Sequence, residues 1–562
     1  MKRIPRHTRR GPTTLEGTWP RFVGPSLRCL LVMACSAAIM AGCGSTVPTP
    51  VPEATPVAAA VTPAPDERRG GTLVVGMAAT SLVTLDPAAY SDRATETVVR
   101  NIFDGLVTRT ADNEVVPELA RAIRWVDEQT VEFDLKTGVR FHNGEALTAE
   151  DVVFTFERIL NDSVGAPRRG FVQEVESVEE VDRDTVRFRL KNPWPVFLQM
   201  LVHNQIVPRD YLKWSGNSRF ARRPPGSGPF KFVQGDLDDE VVLARFADYY
   251  GGADALPPVA PPSLDRVIFR TIPDASSRVD ALLSGEVHII QSVPPQMVPQ
   301  LIDNQDITIK TAMGTRPKFM DLNVTLPPFD DVRVRQALNY GVDAEGILDE
   351  VAGGYGVVLP GPLSPANHYA DPSLLPYGHD PGRATSLIRE AGYEPSDISF
   401  VIDAYGPYVQ IARAVAEQLQ VLGMDVTVQN WDYNEVKPLL LNCERQAFLR
   451  DWGDSAFDPV GYAEAKWQTR SEDTPAGRAN FSCYSNSRVD TLIEAGASEP
   501  DIEDRWDIYA EMQRVIHEDA PAVFLYVPQE IEAASSRVRN WEPSPDSRIN
   551  LHDVWLADGA RD

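Results

Sequence analysis

Ile398-Ser-Phe-Val-Ile402, a helical passage over 411–422 stopped by Gly423, and Met424-Asp-Val-Thr-Val428 make up the stretch whose reading decides the fold. Each flanking run has the length and apolar content of a buried strand. Between them Ile411, Ala414, Val415, Gln418, Leu419 and Leu422 trace a helix, and Gly423 supplies its left-handed stop. The same grammar precedes it. Asp380 is an N-cap with Pro381 at the first helical position, Ala384, Leu387, Ile388 and Ala391 form the apolar face, and Gly392 ends it. Strand, helix and glycine stop, twice over, predict an α/β fold with a largely parallel sheet.

Working outward, the first half shows the pattern once. Val267-Ile-Phe-Arg-Thr-Ile272, a helix over 275–283 ended by Gly285, and Val287-His-Ile-Ile290 read as one βαβ unit. Gly71-Thr-Leu-Val-Val-Gly-Met77 is a buried first strand, followed by a helical pattern over 95–106. Between these halves the character changes. Val131-Glu-Phe-Asp-Leu135 and Val186-Arg-Phe-Arg-Leu190 alternate strictly, as half-buried antiparallel strands do. Thr148 with Asp151 makes an N-terminal box for a helix whose apolar face is Val152, Val153, Phe156, Ile159 and Leu160. Residues 111–220 therefore read as a satellite subdomain. A last helix through Trp506, Tyr509, Met512 and Ile516 and a strand at Ala522-Val-Phe-Leu-Tyr-Val527 close the chain.

After the apolar run at Ala447-Phe-Leu449 comes Leu449-Arg-Asp-Trp-Gly-Asp-Ser-Ala-Phe-Asp-Pro-Val-Gly-Tyr462. Turn-forming residues make it a loop, and the carboxyl ends of α/β strands are where ligands sit. Trp452, Asp454, Ser455 and Asp458 are thus candidate contacts for a small polar ligand. Asp454 and Asp458 also suit a hydrolase acting through two carboxylates. Elsewhere the motifs of chemistry are missing. Neither GxSxG, HExxH, GxxxxGK nor GxGxxG occurs, and the eight His are scattered, so the chain is expected to be a binding protein with no cofactor and no metal.

The 562 residues carry a formal charge of −26, which argues against a nucleic-acid partner. Seven basic residues against Glu16 precede a 14-residue apolar run, Cys29 to Gly42, too short to anchor a chain across a bilayer. With Met40-Ala-Gly-Cys43 behind it, this is a secretory signal that resembles the bacterial lipobox, making Cys43 the expected lipidation site; Val32-Met-Ala-Cys35 is a weaker alternative. Residues 43–69, rich in Pro, Thr and Ala, form a tether. Cys443 and Cys483 are left for the folded part, and an exported protein allows them to pair.

Four further segments carry a resemblance. They are Phe133-Asp-Leu-Lys-Thr-Gly-Val-Arg-Phe-His-Asn-Gly-Glu-Ala-Leu-Thr-Ala-Glu-Asp-Val-Val153, Gly226-Ser-Gly-Pro-Phe230, Phe329-Asp-Asp-Val-Arg-Val-Arg-Gln-Ala-Leu338, and Asn480-Phe-Ser-Cys-Tyr-Ser-Asn486 with Val489-Asp490. In this order they resemble the extracytoplasmic solute-binding proteins of ABC importers, family 5, the oligopeptide, dipeptide and nickel class. The resemblance implies a two-lobed periplasmic-binding-protein-like fold of type II with an extra satellite domain on the first lobe. It maps lobe one to 70–110, 221–310 and 521–562, the satellite to 111–220, lobe two to 311–520, and the hinge near 305–318 and 518–528. It implies a monomer that closes on a ligand and presents it to membrane permease subunits, the lipid on Cys43 holding it at the membrane. Peptide-binding members pair the ligand's amine with an Asp three residues after the loop Trp, where this chain has Ser455, with Asp454 one place earlier. A peptide therefore leads only narrowly over a sugar, opine or other polar solute, and a sensor role is equally compatible. Tyr405 and Tyr408, in Ala404-Tyr-Gly-Pro-Tyr408, match further contacts of relatives, and Asp86 and Tyr90 would face them from lobe one.

Overall fold

The computed structural model describes residues 68–110, 113–256, 261–453, 456–474, 476–545 and 548–557. The signal, Cys43 and the tether up to residue 67 lie outside the described residues, as do Asp454 and Ser455.

Strand Thr72–Met77 lies between two parallel neighbours, Arg266–Thr271 and Ile289–Ile290. Helix Ala275–Leu283 makes the crossover between them, capped by Asp274 and followed by Gly285 at φ 80°. In the second half, Ser399–Ala404 pairs in parallel with Asp425–Asn430 and with Ala447–Asp451. Helix Tyr408–Val421 connects the first two, and Gly423 at φ 96° turns the chain back. Both predicted crossover units are present.

The expectation of a largely parallel sheet is corrected. The terminal strand, predicted only over 522–527, runs unbroken as Ala522–Ser535. Its first half lies antiparallel to Lys318–Leu322 and Gly356–Val358, and its second half antiparallel to Ile307–Met313 and Ile289–Ile290. One strand thus belongs to both halves of a mixed sheet. Strands buried on both faces read as continuous apolar runs whichever way their partners point, so the pattern holds no information on direction.

The satellite residues form a separate four-stranded antiparallel sheet, in the order Ala120–Asp127, Thr130–Leu135, Thr185–Leu190, Val175–Asp182. Helix Ala149–Leu160 covers it, opened by the Thr148–Asp151 box. Phe156 and Phe188 meet edge to face at 4.8 Å, with Phe133 and Phe197 around them.

The sequence segments that carry the resemblance turn out to be internal clamps. His142 donates its backbone N–H to the Gly226 carbonyl, and its ring bridges the Gly226 N–H and the Gly228 carbonyl, at 3.1 and 2.9 Å. A Cβ at Gly226 would overlap the Ile102 carbonyl, and one at Gly228 would lie 2.7 Å from that carbonyl carbon. Backbone packed on backbone has no room to yield. Gly226→Ala is expected to lower the unfolding free energy by at least ~2 kcal/mol in urea titration, with little change in m. Arg335 donates to the carbonyls of Phe329 and Asp519, while Asn480 donates to those of Gln468 and Tyr484.

Cys443 and Cys483 form a disulfide with Cα atoms 6.1 Å apart, closing the piece of chain that carries the 449–462 loop. With its ends 40 positions apart in sequence, the crosslink removes about 4 kcal/mol of chain entropy from the unfolded state. No described helix is long and apolar enough to cross a membrane.

Glu532 sits in the long shared strand, buried, and neither carboxyl oxygen has a hydrogen-bond partner among the described residues. Burial, helped by Glu530, pushes it from an ordinary 4.5 up to about 8. The folded chain then keeps a proton that the unfolded chain releases above pH 4.5. Its contribution to stability is full below that pH and is lost as pH rises toward 8. Wild-type Tm is expected to fall between pH 6 and 8.5, and Glu532→Gln to flatten that fall, read by calorimetry.

Candidate ligand-binding cleft

Strand Ala447–Asp451 delivers Asp451, Trp452 and Gly453 to the end of the sheet where Tyr405 and Tyr408 follow the parallel strand Ser399–Ala404. The Asp451 carboxylate is buried between Arg316, which donates at 2.7 and 3.2 Å, and Lys318. Burial alone would raise its pKa, but Lys318 and Arg316 outweigh it and hold the group at about 2. Lys318 also lies 5.3 Å from the Tyr408 ring, and Tyr405 stacks on Phe448 at 5.9 Å. Trp452 is half-buried, with the Arg450 guanidinium 5.4 Å from its ring. Arg450 and Lys466 both pair with buried Asp321 beneath it.

Beside Gly453 opens a cavity of about 320 Å³. One wall is Ser91, Asp92, Arg93 and Glu96, from the start of helix Arg93–Ile102, with Arg168, Phe171, His203 and Arg548. The other is Arg316 and Gly453, from the half that holds Asp451. Arg93 reaches across and donates to the Thr315 hydroxyl at 2.9 Å. A Cβ on Gly453 would lie 2.8 Å from the Arg316 guanidinium, so the glycine is what lets that arginine lie over the loop.

The wall is electrostatically organised around Glu96. Its oxygens accept from Arg168 at 2.9 Å and Arg548 at 2.8 Å, with His203 Nδ1 at 3.0 Å. Burial pushes Glu96 upward, but Arg548, Arg168 and His203 hold it well below the usual range. Burial lowers His203 to about 3, so its imidazole is neutral and Nδ1–H donates to Glu96. Four arginines face two acids around the cavity, leaving an excess of positive charge. Asp92 caps the helix through Oδ1, which accepts from the Thr95 N–H at 2.7 Å. Its buried Oδ2 has no hydrogen-bond partner among the described residues. The cleft thus sets four guanidinium groups and the Asp92 side chain around one cavity.

The profile of the bacterial extracellular solute-binding proteins, family 5, matches residues 114–473. This chain belongs to that family. The glutathione-binding protein GsiB of Pectobacterium atrosepticum is 26% identical over 495 residues, covering 85% of this chain and 93% of the relative. The dipeptide-binding protein of Escherichia coli is 26% identical over 476 residues, covering 78% and 86%. Among solved structures, the periplasmic binding protein DppA of Helicobacter pylori, in complex with the peptide STSA, superposes with a TM-score of 0.71 at 25% identity, covering 88% of this chain and 99% of that one. The substrate-binding protein CtaP of Listeria monocytogenes gives 0.76 at 27%, covering 87% and 100%. The fold is the two-lobed one of these proteins, and the chain is the substrate-binding subunit of an ABC importer. These relatives are binding proteins, not enzymes.

Within this family-5 fold the sequence-predicted residues divide. Trp452, Tyr405 and Tyr408 gather around Asp451 at one end of the sheet. Asp458 turns away: it is 1% exposed, and both oxygens accept from Arg505 at 2.7 Å. Its carboxylate is committed to Arg505 and to the Val460 N–H. Asp86 is likewise buried, in a bidentate pair with Arg158 of the satellite helix. Tyr90 is buried one layer behind the cavity, under the Arg168 guanidinium at 4.1 Å. Asp92, Arg93, Arg168, Arg316 and Arg548 were not legible as a site. They are spread from residue 92 to residue 548 and share no local pattern, and only the fold brings them together.

Proposed function

We propose that this importer subunit captures a short peptide with a free amine and an acidic group, held between Asp92 and the cleft arginines. The observation that carries this is that Asp92, whose buried Oδ2 has no hydrogen-bond partner among the described residues, lines a cavity with four guanidinium groups. A charge-assisted bond from an ammonium suits that oxygen, and arginine forks suit carboxylates. In this reading Asp92 supplies from the first lobe the charge that Ser455 does not. Trp452, Tyr405 and Tyr408 provide the aromatic flank, and Asp454 lies in the same loop. Relatives whose names include glutathione and dipeptides are consistent with this ligand class.

The hinge of this reading is at residues 314–317 and at Pro528, where pairing of the shared strand passes from one half to the other. Closure about it brings the loop at Trp452 and Gly453 toward the Asp92 wall, with Arg316 at the pivot, and the ligand's fit to that closed state shifts the equilibrium. The protein works as a monomer outside the cytoplasm, tethered by lipid on Cys43. Native mass spectrometry of the protein as purified tests the ligand class. The expected result is a bound peptide or amino-acid conjugate carrying at least one carboxylate beyond its backbone terminus. A neutral sugar as the sole bound species would overturn it.

A further inference from the structure

Behind the cleft lies a second cavity of about 240 Å³, which Glu118 and His552 line. Asp104 sits beside it, just beyond the end of helix Arg93–Ile102. One atom each from Asp104, Glu118 and His552 lies within 4.8 Å of the others, the one such grouping of His, Cys, Asp or Glu among the described residues. We propose that Asp104, Glu118 and His552 form a binding site for a zinc-class divalent cation, apart from the ligand cleft.

Three observations lead there. First, Asp104 is 1% exposed, and its Oδ2 has no hydrogen-bond partner among the described residues. Two buried carboxylates this close repel each other, and burial disfavours both charges. Lys136 and Arg100 favour the charged carboxylates from nearby, but their own hydrogen bonds go to the Gly252 carbonyl and Asp254, and to Thr108. A dication between the oxygens removes the conflict.

Second, the imidazole is prepared as a ligand. His552 Nδ1 lies 2.5 Å from Asn550 Oδ1, an oxygen that can only accept. The ring proton is therefore on Nδ1, leaving the Nε2 lone pair facing the carboxylates, the second-sphere arrangement typical of metal-bound histidine. Nε2 now accepts from the Tyr249 hydroxyl at 2.9 Å. When a cation takes that lone pair, the hydroxyl turns to Asp104 Oδ1, 3.4 Å away.

Third, the geometry fits. Donors on one tetrahedral zinc ion lie about 3.4 Å apart, so side-chain movements of roughly an ångström close a set whose atoms lie within 4.8 Å of one another. Two carboxylate oxygens and one imidazole nitrogen favour zinc over calcium or magnesium, which prefer oxygen alone. Such an ion would tie the C-terminal segment 548–557 to the end of helix Arg93–Ile102 and to the strand Val115–Pro117. No local motif announced it.

The test uses the full-length purified protein, stripped with EDTA and dialysed against micromolar zinc chloride, with metal measured by plasma mass spectrometry. One zinc per chain is expected, with a Tm rise of about 2–4 °C at a hundredfold excess over Kd. Cobalt substitution should give the visible bands of a mixed N/O site. His552→Gln and Glu118→Gln should each lower zinc affinity by at least tenfold while leaving the stripped protein folded by circular dichroism. Less than about 0.1 zinc per chain in the wild type would overturn the proposal and leave a proton shared between the two acids. So would full stoichiometry in both variants. Peptide binding is not part of the readout, so the outcome is independent of the proposed ligand.

Discussion

Asp458→Asn is expected to lower the unfolding free energy by about 3–5 kcal/mol, because it leaves the Arg505 guanidinium buried with the countercharge of its ion pair gone. Arg505 is 2% exposed, and it also donates to the Gly496 carbonyl at 2.7 Å and the Tyr369 hydroxyl at 2.9 Å. The measurement is a urea titration in which Cm falls at nearly constant m. A double replacement, Asp458→Leu with Arg505→Met, should recover most of the loss, since an apolar pair needs no desolvation. A surface role for Asp458 would instead give a change within ~0.5 kcal/mol. The pair matters for function through position: it anchors the far end of the loop that begins at Trp452, so the single variant should also weaken ligand binding.

The second large effect concerns Arg316. It alone among the cavity arginines comes from the Asp451 half and contacts that carboxylate directly. Arg316→Met removes a ligand donor and leaves Asp451 with Lys318 as its one close cation. Loss of one member of a desolvated charge cluster costs about 2–4 kcal/mol of binding, or roughly 30- to 1000-fold in Kd. Isothermal titration with the co-purified ligand reads this directly. Arg316→Lys should recover part of the affinity but not the forked contact. If Arg316→Met binds as the wild type does, the cavity beside Gly453 is not where the ligand sits.

Local structure was legible where periodicity and punctuation agreed. The helix predicted over 275–283 is observed as Ala275–Leu283, and the Thr148–Asp151 box and the Gly423 stop are in place. The course of Ala522–Ser535 was not, because strand direction and strand sharing are decided by tertiary pairing. The strand leading into the 449–462 loop was legible, but the partners of its side chains were not. Asp458 and Asp86 have the right residue type for a binding site, yet an arginine far away in sequence claims each of them. The same long-range pairing built the arginine wall around Glu96. A sequence shows which residues are able to pair, and only the fold shows which of them remain available.

The most direct measurement is a calorimetric titration of ligand-free protein with a short acidic peptide, its N-acetylated form, and the Asp92→Asn variant. The account predicts micromolar or tighter binding of the free-amine peptide. Acetylation should weaken that binding at least tenfold in the wild type and have little effect in Asp92→Asn, because both changes remove the same ion pair. Equal affinity for free and acetylated peptide in the wild type would contradict the central claim that Asp92 and the facing arginines grip the two charges of one ligand.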